Sequence, residues 1–118
     1  MMRTLRSAFE HALSLDPQFL FAWNGKSHAL HNLNRYEEAL AASEQAITLD
    51  VTYALAWSAK GNALSRLKRY DEALAAYERR LALGISRIGL KNKAHTLRNL
   101  GRIQEAEAVE AEAKRLSS

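Results

Sequence analysis

The sequence contains no cysteine. That excludes disulfides, thiolate metal sites and cysteine nucleophiles together. It also fits a reducing compartment, and the cytoplasm is the expected location. Proline occurs once and glycine five times among 118 residues, too few for a disordered or low-complexity chain. No apolar run approaches the ~20 residues that a membrane span needs. The opening residues Met1 to Arg6 do not lead into an uninterrupted apolar segment, so no secretory leader is expected. A chain of this length is expected to form one domain burying roughly two-thirds of its unfolded surface.

What is present is repetition. Arg35-Tyr36-Glu37-Glu38-Ala39-Leu40-Ala41-Ala42 returns as Arg69-Tyr70-Asp71-Glu72-Ala73-Leu74-Ala75-Ala76, 34 residues later. Trp23 and Trp57, Leu30 and Leu64, and Leu49 and Leu83 keep the same interval. Periods of 20 to 50 residues mark solenoids and other arrays. Apolar residues recur every third or fourth position, which requires helices. The pattern predicts seven: Arg3–Leu15, Phe19–Leu33, Tyr36–Leu49, Tyr53–Leu67, Tyr70–Leu83, one centred on Leu90 to Leu100, and Ile103–Leu116. Asp16-Pro17 ends the first. Asn34-Arg35, Lys68-Arg69 and Gly101-Arg102 are turns, and Gly84 is placed to close the fifth helix from the left-handed region. After Gly84 the register shifts by one residue. Linkers this short require antiparallel neighbours.

Trp57-x-x-Lys60-Gly61-x-x-Leu64 followed by Ala73-x-x-x-Tyr77 resembles the tetratricopeptide repeat (TPR), a 34-residue helix–turn–helix unit. The resemblance implies an all-α TPR solenoid in a right-handed superhelix. It comprises a half-repeat (residues 1–19), two repeats (20–53 and 54–87) and a degenerate third (88–118). Ser27, Gly61 and Ala94, facing Ala39, Ala73 and Ala106, are small where helices cross closely. Trp23, Tyr36, Trp57, Tyr70 and Tyr77 fill the wider gaps. Three departures stand out: Lys26 and Lys60 replace a leucine, Val51 and Ile85 replace a repeat-closing proline, and Arg80 replaces a small residue. An arginine there must lead its head to water, so a looser junction between the last two repeats is expected.

The two ends differ. The last helix carries Glu107 and Lys114 where earlier second helices carry Leu40 and Ile47 or Leu74 and Leu81, and it reads as a polar cap. The first helix has no such device. Its Leu5, Ala8 and Phe9 are expected to leave an uncovered face, available to a second copy or another protein.

Candidate chemistry is sparse. His28 and His31 stand at i and i+3, but a zinc site needs three or four ligands and no third lies nearby in sequence. There is no nucleophile elbow, phosphate loop or paired-carboxylate arrangement. Gly84 to Gly89 is a linker without the preceding strand of a dinucleotide fingerprint. The expectation is a protein without enzymatic activity, cofactor or metal.

Function should then reside in a surface. The resemblance implies that the first helices of successive repeats line a concave groove for an extended peptide or a partner helix. By register the wall comprises Phe21, Asn24, His28 and His31, then Leu55, Ser58, Asn62 and Ser65, then Ile88, Lys91, His95 and Arg98. Apolar residues form one rim, amides and imidazoles the middle, and cations the far end. Lys91 and Arg98 suit a carboxylate or other acidic feature on a protein partner. The lysine and asparagine clamp by which some family members hold a C-terminal carboxylate is absent, since Asn24, His28 and Ile88 occupy its positions. Residues 60–102 hold eleven basic and three acidic side chains, a field that attracts anions. Nucleic-acid binding also needs interleaved stacking aromatics, and only Tyr70 and Tyr77 are on offer. A homodimer through the first helix is the second reading, nucleic acid a distant third.

Overall fold

The computed structural model describes Ala8 and residues 20–116. Six helices lie among the described residues: α1 (Leu20–Asn32), α2 (Tyr36–Leu49), α3 (Ala54–Arg66), α4 (Tyr70–Ala82), α5 (Arg87–Asn99) and α6 (Ile103–Arg115). No strand occurs among these residues. The predicted helix Arg3–Leu15 lies outside them, except for Ala8, which is helical and exposed.

Three hairpins, α1/α2, α3/α4 and α5/α6, make the largest interfaces. The turn inside each is the same device. Asn34, Lys68 and Gly101 adopt positive φ of 61°, 62° and 77°. The following arginine N–H then reaches back into the helix: Arg35 to the Leu30 carbonyl at 2.9 Å, Arg69 to Leu64 at 2.9 Å, Arg102 to Leu97 at 2.8 Å. These paired end-of-helix bonds satisfy carbonyls that the helix leaves open. Gly84 does not act this way. Its φ of 158° is extended, and α4 ends instead at Leu83, with the Gly84 N–H donating to the Leu81 carbonyl at 3.1 Å.

The register shift is located at the same place. Helix α4 has 13 residues where α2 has 14, so the array loses its residue from the end of a helix and not from a linker. Asp50 Oδ1 accepts from the N–H and hydroxyl of Thr52 at 2.9 and 2.6 Å, a turn that needs no proline. In the α4–α5 linker Ser86 caps α5 by accepting from Gly89 N–H at 3.1 Å.

The core follows from small residues. Ala39, Ala46, Ala56, Ala63, Ala73 and Ala106 are fully buried. One apolar cluster joins Leu30, Leu40, Leu64 and Tyr77 across α1–α4, with Trp23, Trp57 and Leu67 against it. A smaller one joins Leu74, Leu97 and Ala106, with Leu100 and Val109. Leu33, expected to end α1, falls beyond its last helical residue and is exposed. The lysines in leucine positions lie over tryptophan rings, Lys26 at 5.4 Å and Lys60 at 5.5 Å. Lys60 then reaches Glu44 of the preceding hairpin at 3.5 Å, as Lys93 reaches Glu78 at 3.4 Å.

The last junction is looser. Helix α4 meets α5 less extensively than α2 meets α3, and α1 packs on α3 while α3 and α5 make no comparable contact. Arg80 turns its guanidinium to the Gly84 carbonyl at 2.7 Å, away from the helix crossing.

Candidate functional site: the concave face

The gap between α3 and α5 is a cleft of about 660 Å³, reached also by α1 and α4. In register, α5 carries the larger, polar Asn92 and Thr96 where α3 carries Ala59 and Ala63. Thr96 is buried, and its hydroxyl donates to the Asn92 carbonyl at 2.9 Å.

The cleft wall is hydrogen-bonding and mostly uncharged: His31, Asn62, Ser65, Tyr70, Tyr77, Asn92, His95, Thr96 and Asn99, with the two cations Arg66 and Lys68. The Tyr77 ring is buried against Gly61, where an added Cβ would lie 2.5 Å from Tyr77 Cε1. Its hydroxyl donates to Asn62 Oδ1 at 2.6 Å. Burial pushes the Tyr77 hydroxyl above its ordinary pKa, and Ser65 opposes this. With its oxygen engaged, Asn62 keeps its amide N–H donors for another acceptor. Burial lowers the His31 pKa, and the charges of Arg66 and His28 add to the effect. The His31 ring meets Tyr36 edge-on at 5.2 Å.

Of the twelve residues expected to form the groove, His31, Asn62, Ser65 and His95 line this cleft. Lys91, His95 and Arg98 line a second cavity of about 480 Å³ between α5 and α6. Phe21, Leu55 and Ile88 are 62%, 56% and 71% exposed, an open apolar rim one repeat apart. Phe21 meets Tyr53 edge-on at 5.5 Å. Asn24, His28 and Ser58 border neither cavity, and Asn24 Oδ1 is buried with no partner among the described residues. Arg98 is already engaged: its Nε and Nη2 donate to Glu110 at 2.8 and 2.6 Å. Leu5 and Phe9 lie outside the described residues.

Sequence reasoning missed Asn92, Thr96 and Asn99, although amides and a hydroxyl in place of alanines were a readable signal. It also assigned Tyr77 to the core alone, whereas the ring is core and the hydroxyl is cleft. Among the described residues no group of three or more His, Asp or Glu side chains converges, and no helix is long and apolar enough to cross a membrane.

Two family models described as tetratricopeptide repeat match residues 8–41 and 56–86, together more than half of the chain. The chain belongs to the tetratricopeptide repeat family. TPR arrays are generally interaction modules without enzymatic activity. No curated protein matches the chain in sequence. Among solved structures, the TPR array is similar to a MamA protein at 20% identity and TM-score 0.85, covering 92% of this chain and 60% of that one. A second MamA structure gives 20%, 0.88, 93% and 65%. MamA 41-end from Desulfovibrio magneticus RS-1 gives 17%, 0.89, 95% and 64%. These likenesses are of fold, and the chain spans less than two-thirds of each of these proteins.

Proposed function

We propose that the chain holds an extended segment of a partner protein along its concave face and performs no chemistry on it. The observation that carries this reading is the amide- and hydroxyl-rich cleft around the Tyr77 hydroxyl. An extended peptide presents alternating backbone donors and acceptors, and amide side chains on a rigid wall match them without selecting one side chain. Asn62, braced by Tyr77, needs no reordering on binding, which reduces the entropic cost of association. Phe21, Leu55 and Ile88 supply apolar contacts along the rim. Five of the eleven basic residues between Lys60 and Arg102 pair with the chain's own carboxylates. Arg66 and Arg79 lie over the rings of Tyr36 and Trp57. This distribution supports a protein ligand over a nucleic acid.

The test is selection of a random peptide library on the wild-type chain, then measurement of the recovered peptides on Asn62→Ala/Asn92→Ala. Loss of two or three amide hydrogen bonds should weaken them at least about tenfold, with the melting temperature little changed. Equal affinity for both proteins would remove the cleft from the binding site.

A further inference from the structure

One register position of the second helices is filled by Ser43, Tyr77 and Glu110 in turn. In the first two hairpins its contacts are neutral: the Ser43 hydroxyl donates to the Leu40 carbonyl at 2.8 Å, and Tyr77 to Asn62. In the third the contact is ionic, a two-point fork from Arg98 to Glu110. The cavity beside it is faced by Arg87, Lys91, His95, Arg98 and Lys114, and among the described residues Glu110 is its one carboxylate. Ala94 and Ala113 form a floor of small side chains. Arg87, Lys91 and Lys114 have no ion pair among the described residues.

We propose that the α5/α6 cavity receives acidic side chains of a partner polypeptide, and that Glu110 is a built-in competitor occupying Arg98 until such a carboxylate displaces it. The chain itself shows which anion the Arg98 fork accepts, because its resident ligand is a planar two-oxygen carboxylate. The pair is exchangeable. Arg98 and Glu110 side chains are 42% and 43% exposed, and ion pairs so open to water contribute little net stability. An incoming acidic segment gains more than Glu110 can. Glu110 is tethered to α6 and serves Arg98, with a lesser charge interaction with Lys114, whereas several carboxylates also meet Arg87 and Lys91. Glu107, on the same helix, adds negative charge near Arg98. The inference rests on the groove reading only for the partner being a polypeptide.

Capped hexaglutamate titrated into the protein at low ionic strength, followed by calorimetry, tests this. Glu110→Gln should bind at least about tenfold more tightly than wild type, the scale of one charge-assisted bond. Arg98→Gln/Glu110→Gln should lose that gain. Glu112→Gln changes net charge equally, but two residues along the helix it points elsewhere, so it should bind as wild type does. The proposal is overturned if Glu110→Gln gains nothing or Glu112→Gln gains as much. It is equally overturned if tripolyphosphate or a short RNA gains as much as hexaglutamate, since the site then takes phosphoryl anions. The readout is the gain of Glu110→Gln over a protein with the same cleft, so the same gain is expected when both carry Asn62→Ala/Asn92→Ala. A Glu110→Gln gain alongside failure of the library experiment would sink the groove reading alone, and the converse would sink this inference alone.

Discussion

At Gly61 a missing side chain decides how a hairpin closes. The Tyr77 ring occupies the space a Cβ would take, while the preceding hairpin fits Ser27 against α2 by donating its hydroxyl to the Ala39 carbonyl at 2.7 Å. Gly61→Ala gains about 1 kcal/mol of helix propensity but must displace a buried ring, an overpacking cost of about 1–3 kcal/mol. A net loss of about 1 kcal/mol is expected in urea denaturation. In a Tyr77→Ser background the clash is gone, and the same change should stabilise. Lys68 poses the converse case, since a side chain at φ 62° is strained by roughly 1 kcal/mol. Lys68→Gly should therefore raise the melting temperature, and Gly101→Ala, at φ 77° with open space around it, should lower it. A shift of the opposite sign in either would refute the strain argument.

Among elements, each second helix opens on the same pair: Arg35 with Glu38, Arg69 with Glu72, Arg102 with Glu105. The carboxylate lies in the first turn, where the helix dipole favours it. Hydrogen bonds from their arginines hold the carboxyls of Glu72, Glu105 and Glu110 below the ordinary range. A depressed folded pKa means that this contribution is complete above the unfolded value of ~4.3 and lost as pH falls through the folded one. His31 is also depressed, so the unfolded chain takes up its proton first, and stability falls as pH drops below ~6.5. Melting temperatures from pH 8 to 3 should show two descents. His31→Gln should remove the upper one and Glu72→Gln/Glu105→Gln should shrink the lower. An unchanged profile in either variant would show that other groups are responsible.

For the whole molecule, an array 49 × 25 × 24 Å in extent is stabilised by contacts between neighbours only. The α1–α4 cluster is the larger, and α5/α6 hold on through Leu74, Leu97 and Ala106 across the narrower junction. The last hairpin should consequently open at lower free energy than the rest. Hydrogen exchange should find α5 and α6 less protected than α3 and α4, and Leu74→Ala should widen the difference. Uniform protection would mean that the cleft does not weaken coupling. The separation that costs contacts between α3 and α5 also opens the cleft that we propose as the binding groove.

The 34-residue period, the helix pairs and the three turns at Asn34, Lys68 and Gly101 were legible in the sequence alone. Helical period and turn chemistry are local, and repetition multiplies the signal. Arg80 was legible for the same reason: one large cation in a slot of small residues. Gly84 misled, since a glycine after a helix permits a left-handed residue without requiring it. What only the tertiary structure decided was how the twelve groove candidates divide. Whether Asn92 lines a cleft, whether Tyr77 can belong to core and cleft at once, and whether Arg98 finds Glu110 all depend on distances between helices. Those distances are set by packing between hairpins, which no single stretch of sequence encodes.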